Sequence, residues 1–147
     1  MVIMVAETVD DVECLRDLFR RAAESSRDHD FGLPAMNPQA TMARICKMLG
    51  RQDSCVFVLF DGQSNPVGVL AVFANLGVLQ EQFFYMADFA HTRQLVNAAK
   101  LWGKARGCVA MKLNSSSVDE NGWPRILKLL ASRGGFQKYS ETYVVRL

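Results

Sequence analysis

The segment from Phe83 to Phe136 constrains the fold more than any other, because it reads as strand, helix, strand, helix, strand. The aromatic-rich run Gln82 to Asp88 precedes a helical stretch from Arg93 to Arg106, with Leu95, Ala98, Ala99, Trp102 and Ala105 on one face. Gly107 follows the last helical residue, where a left-handed conformation closes a helix, and the chain passes at once into the apolar run Val109 to Leu113. Two strands joined through a helix lie parallel in one sheet, since the crossover must fold the helix back over the sheet in a right-handed sense. The strand ending near Asp88 and the strand from Val109 to Leu113 are therefore expected to be parallel neighbours.

The rest of the pattern is organised around that unit. Val2 to Val5 suits a short strand. Thr8 followed by Asp11 is a helix-start signal, after which Val12, Leu15, Leu18, Phe19, Ala22 and Ala23 recur at helical spacing in one amphipathic helix. Residues Ser25 to Pro38 are polar and broken by Gly32, Pro34 and Pro38, which predicts a loop. Its Phe31, Leu33 and Met36 either cover a substrate or tuck the loop onto the core. A second helix is expected over Gln39 to Leu49. Ser54 to Phe60 and Pro66 to Asn75 are rich in Val and Phe and form a hairpin across the turn residues Asp61 to Asn65, and Leu76 to Glu81 reads as a link to the next strand. Beyond Leu113, a helix from Trp123 to Ser132 has Pro124 in its first turn, and two closing strands are expected around Phe136 to Tyr139 and Thr142 to Leu147.

The 147 residues carry no internal repeat, low-complexity tract or linker, so residues 1–147 are read as a single α/β (α+β) domain with a mixed, mostly antiparallel sheet flanked by helices. The net charge of +2, with basic residues spread along the chain, argues against nucleic-acid binding. No apolar run is long enough to cross a bilayer and the start lacks the features of a signal peptide, so no membrane association and a cytoplasmic location are expected. The four cysteines at 14, 46, 55 and 108 form no C-x-x-C pair and have no histidine at ligand spacing, which points to buried free thiols rather than a metal site.

The element order resembles the whole fold of the GNAT superfamily of N-acetyltransferases. The local matches are Glu7-Thr-Val-Asp-Asp-Val12, similar to the family's first strand-to-helix turn, Leu101-Trp-Gly-Lys-Ala-Arg-Gly-Cys108, similar to the end of its coenzyme helix, and Leu130-Ala-Ser-Arg-Gly-Gly-Phe136, similar to its closing motif. The loop after the first helix also resembles that of small phage-encoded members, which implies host cytoplasm or virion as the location for such a member. The resemblance implies acetyl-CoA as cofactor and an amine, on a small molecule or a protein, as acceptor, with homodimerisation as a further possibility.

In the family, the coenzyme pyrophosphate rests on a glycine-rich loop before the coenzyme helix. The matching stretch here, Asp88-Phe-Ala-His-Thr-Arg93-Gln94, has no glycine. Thr92, Arg93 and Gln94 stand at the helix start, where free N–H groups and the positive end of the helix dipole attract anions, and they are the cofactor-binding candidates. The alternative is an N-capping Thr92 and a solvated Arg93. The family's closing motif holds a tyrosine that protonates the departing thiolate, and Ala131 stands in that position. The catalytic candidates are therefore Asp88, with Glu81 as another carboxylate on the same strand, His91, whose imidazole titrates near neutrality, and Tyr139 on the closing strands. Two functions follow from this mixture: a divergent acetyl-CoA-dependent N-acyltransferase, or a catalytically inactive module of the same fold that binds a protein partner.

Overall fold

The computed structural model describes residues 1–25 and 37–113. Residues 26–36 of the loop expected over Ser25 to Pro38, with His29, and everything from Asn114 onward, including the Trp123 helix, Ala131, Tyr139, Tyr143 and both closing strands, lie outside the described residues, while Ser25 ends one helix and Pro38 starts the next.

The strands are β1 (Val2–Val5), β2 (Ser54–Phe60), β3 (Pro66–Asn75), β4 (Val78–Met86) and β5 (Ala110–Lys112), and the helices are α1 (Val9–Glu13), α2 (Arg16–Ser25), α3 (Pro38–Cys46) and α4 (Thr92–Ala105). They form one sheet in the order β1-β2-β3-β4-β5. All neighbours are antiparallel except β4 and β5, which are parallel as the crossover argument requires, with Val78 opposite Ala110 and Gln80 opposite Lys112.

Each face of the sheet carries its own core. Val12, Leu15, Phe19 and Ile45 from α1 to α3 pack against Val56, Val58, Val69, Ala71 and Phe83. The Phe19 and Phe83 rings lie 5.0 Å apart between centroids. On the opposite face, Leu95, Val96 and Ala99 of α4 cover Phe57, Leu59, Leu70, Val72 and Phe84. The central strands are buried on both sides, which is why they read as nearly continuous apolar runs rather than alternating ones.

The Thr8 signal is a complete capping box. Thr8 Oγ1 accepts from the Asp11 N–H at 3.3 Å, and Asp11 Oδ2 accepts from the N–H groups of Thr8 and Glu7 at 2.9 Å each. The single helix expected after it is instead two. The Leu15 N–H bonds the Val12 carbonyl three residues back at 3.0 Å, a tighter turn that separates α1 from α2 yet keeps Val12, Leu15 and Phe19 in one buried line.

Other boundaries move for similar local reasons. The Asn37 side chain caps α3, accepting from the Ala40 N–H at 3.1 Å, and the helix ends at Cys46 rather than Leu49 because Met48 and Leu49 donate to carbonyls three residues back before Gly50 reverses the chain at φ +73°. The supposed link Leu76 to Glu81 is only a two-residue turn. Leu76 and Gly77 both hold positive φ, 50° and 76°, the geometry that matches strand twist, so β4 begins at Val78 and pairs directly with Asn75.

The start and end of α4 also differ slightly from expectation. Its buried stripe is Thr92, Leu95, Val96, Ala99 and Gly103, whereas Ala98 and Trp102 are half-buried and Ala105 is exposed. Gly107, at φ +78°, donates to the Lys104 carbonyl while Cys108 donates to that of Gly103, both at 3.0 Å, so the last carbonyls of the helix are satisfied. The cysteines are all free, and Cys55 is buried, but Cys14 is exposed, against the expectation of buried thiols.

Candidate functional site

The helix start that the sequence singles out sits beyond the end of β4. Between them Phe89–His91 form one 3-10 turn, and His91 is the N-cap position that precedes α4. The His91 side chain makes no capping hydrogen bond, and its backbone, at φ −109° and ψ 10°, is not in the extended conformation of an ordinary cap. The first N–H groups of α4 therefore have no side-chain cap, and the dipole of a helix 14 residues long adds positive potential there.

Thr92 is the first residue of α4 and does not cap it. The residue is 1% exposed, and its hydroxyl has no hydrogen-bond partner among the described residues. A buried hydroxyl left unpaired costs about 1–3 kcal/mol, so this atom is a group with unused donor and acceptor capacity at the head of a helix. Arg93 and Gln94 follow it on the exposed side of the first turn.

Asp88 closes the turn from the other side. Its Oδ1 accepts from the Ala90 N–H at 3.0 Å. The turn without glycine is thus built by a carboxylate that takes one of the backbone donors a phosphate would otherwise use, and it places a negative charge near the site.

The bulge in β4 is less legible from the residue pattern. Ala71 pairs with Phe83 and Val72 with Glu81, so Gln82 is the extra residue. Glu81 beside it is 7% exposed, a rare degree of burial for a carboxylate. Nothing in the local pattern signals the bulge, because it follows from the register between two strands. The described part of β5 pairs with β4 only as far as Gln80, and β4 continues for six residues beyond it, to Met86.

Trp102 serves packing. Its ring meets Phe57 edge-on at 6.5 Å, and the Arg106 guanidinium lies 3.8 Å above it while donating to the Gln52 carbonyl. Of the residues expected to form a site, Asp88, His91, Thr92, Arg93 and Gln94 come together at one helix start, whereas Tyr139 lies outside the described residues.

No protein-family model matches the chain, and no curated protein sequence does. Solved structures do. The tetramutant of BH1408 from Bacillus halodurans superposes with a TM-score of 0.73 at 19% identity over 100% of both chains. The chain has the GNAT fold. The ribosomal-protein-alanine N-acetyltransferase of Brucella melitensis biovar Abortus 2308 matches with a TM-score of 0.68 at 12% identity over 100% of both chains. AAC(6')-Iy, in complex with the bisubstrate analog CoA-S-monomethyl-acetylneamine, matches with a TM-score of 0.64 at 16% identity over 99% of this chain and 97% of the other. At such identities the likeness establishes the fold, and the chemistry has to be argued from the residues.

The donor set at α4 suits a coenzyme A pyrophosphate. Thr92 supplies a buried hydroxyl without a partner among the described residues, the first N–H groups of α4 have no side-chain cap at the positive end of the helix, and Arg93 is exposed in its first turn. The Asp88 carboxylate is the one element of the turn that opposes it.

Proposed function

We propose that this protein is an acetyl-CoA-dependent N-acetyltransferase. The observation that carries the reading is the unpartnered Thr92 hydroxyl at the uncapped start of α4, in a fold whose solved examples include acetyltransferases. Thr92, Arg93 and Gln94 would hold the pyrophosphate. Acetyl-CoA would supply an activated acyl carbon and a thiolate leaving group, so the chain itself has to orient the amine and remove its proton.

The proton acceptors are three. Glu81 is held in β4 at the bulge, where it is 7% exposed. Asp88 and His91 stand at the turn itself, where Asp88 Oδ1 accepts from the Ala90 N–H. The turn lacks glycine and Ala131 replaces the family's proton-donating tyrosine, so turnover is expected below the ordinary enzymatic value of about 10 per second.

Calorimetry with acetyl-CoA and free coenzyme A tests the cofactor, and a thiol-release assay across amino acids, peptides, polyamines and aminoglycosides tests the reaction. Binding of acetyl-CoA with thiol release on at least one amine, lost in Glu81→Gln, is the expected result. Absence of any coenzyme binding would overturn the reading.

A further inference from the structure

A second site lies on the opposite face of the sheet from α4. The turn that leads out of α3, the chain entering β2, the end of β3 and the bulge of β4 enclose a groove of about 280 Å³. Its apolar surface comes from Met48, 9% exposed, and from half-buried Phe73. Arg44, Lys47 and Arg51 surround it, with Asp53 as the only acid among the described lining residues.

The charges do not cancel. Arg51 is satisfied by Asp53, through two hydrogen bonds of 2.9 Å each. Arg44 and Lys47 have neither an ion pair nor a hydrogen bond among the described residues, so the four ionisable groups of the lining leave a net charge of +2. The C-terminal end of α3 accounts for a single cation near it, since a helix dipole interacts favourably with a positive charge in its last turn. It does not account for three cations gathered around an apolar floor. A guanidinium beside an ammonium, over an aromatic and a thioether, matches an organic anion with an apolar body.

The groove also meets β4 at its bulge. Gln82, the bulge residue, forms one of its walls and precedes Phe83 and follows Glu81 in β4. Its volume falls just short of the range of about 300–1,000 Å³ typical of drug-sized ligands, which sets the occupant at about the size of an amino acid or dipeptide.

We propose that this groove binds the carboxylate end of the acyl acceptor, and that the acceptor is an amine carrying both a carboxylate and an apolar side chain rather than a polycation. This rests on the acetyltransferase reading above. An aminoglycoside-like acceptor brings several positive charges to a groove whose own charge is positive, and like-charge approach of this kind disfavours the wrong ligand.

The test is calorimetry in the absence of coenzyme A, with L-phenylalanine, L-phenylalanyl-L-alanine, phenethylamine and neamine as probes. At least one carboxylated probe should bind at least about tenfold more tightly than phenethylamine, which has the same ring without the carboxylate, and neamine should not bind. The double variant Arg44→Ala/Lys47→Ala should lose that preference, whereas Arg20→Ala, which removes a surface cation that does not line the groove, should keep it. Failure of both carboxylated probes to bind, equal binding of phenethylamine or neamine, or a preference that survives the double variant would each overturn the proposal. A retained carboxylate preference together with no binding of acetyl-CoA in a separate titration would overturn the transferase reading and the acceptor role while leaving an anion site.

Discussion

The Asp88 carboxylate accepts the N–H of Ala90 at 3.0 Å, in the turn that delivers β4 to the start of α4. One residue thereby builds the turn in place of glycine and sets a negative charge beside the N–H groups proposed to meet a pyrophosphate. Asp88→Asn keeps an oxygen acceptor and removes the charge. Coenzyme A affinity measured by calorimetry should rise in this variant, by up to about 1 kcal/mol, the scale for exposed charge pairs, and the gain should shrink at high salt. Weaker binding would mean that the carboxylate helps rather than opposes the site.

Thr92 offers a sharper test, because its effects on stability and on binding should have opposite signs. The hydroxyl is buried and unpaired among the described residues, so Thr92→Val, nearly isosteric, should leave the melting temperature unchanged or raise it. The same variant should weaken coenzyme A binding, and Arg93→Ala should weaken it by about 1.5–3 kcal/mol. A destabilised Thr92→Val protein with unaltered affinity would show that the hydroxyl serves packing alone.

Gly103 brings α4 close to the sheet. A Cβ at that position would stand 3.0 Å from Leu79 Cδ2 and 3.6 Å from Cys108 Cβ. Replacing glycine by alanine within a helix ordinarily gains about 0.5–1 kcal/mol, and here the contact with Leu79 should cancel that gain. The branched side chain of Gly103→Val has no room to relax and should cost about 1–3 kcal/mol in denaturant unfolding. A valine variant as stable as the native protein would contradict the close approach.

Three carboxylates make stability dependent on acid. The bidentate Arg51 guanidinium holds Asp53 down at about 2, and backbone N–H donors lower Asp11, chiefly from Glu7, and Asp61, chiefly from Asn65. A carboxyl lowered on folding contributes stability that is present above its unfolded value of about 3.8 and is lost as pH falls through the folded one. Melting temperature should therefore hold from neutrality to about pH 4 and decline toward pH 2, and Asp53→Asn should flatten part of that decline. An Asp53→Asn profile parallel to the native one would remove Asp53 from the account.

What was legible in the sequence was local or followed from chain connectivity. Thr8 and Asp11 announce their capping box three residues apart, Gly107 announces the end of α4, and the run from Gln82 through Arg106 to Leu113 leaves room only for a parallel pair. The Arg93 and Gln94 helix start was visible for the same reason, since a helix boundary is a short-range property. The sequence did not disclose the split at Cys14 and Leu15, the direct turn at Leu76 and Gly77, or the bulge at Gln82 that accompanies the burial of Glu81. Nor did it show that Thr92 goes inward, or that Arg44 and Lys47 share a groove with Phe73 and Gln82. Those outcomes depend on strand register and on which helix lies over which face of the sheet. Both are decided by contacts between residues far apart in the chain, which periodicity along the chain does not encode.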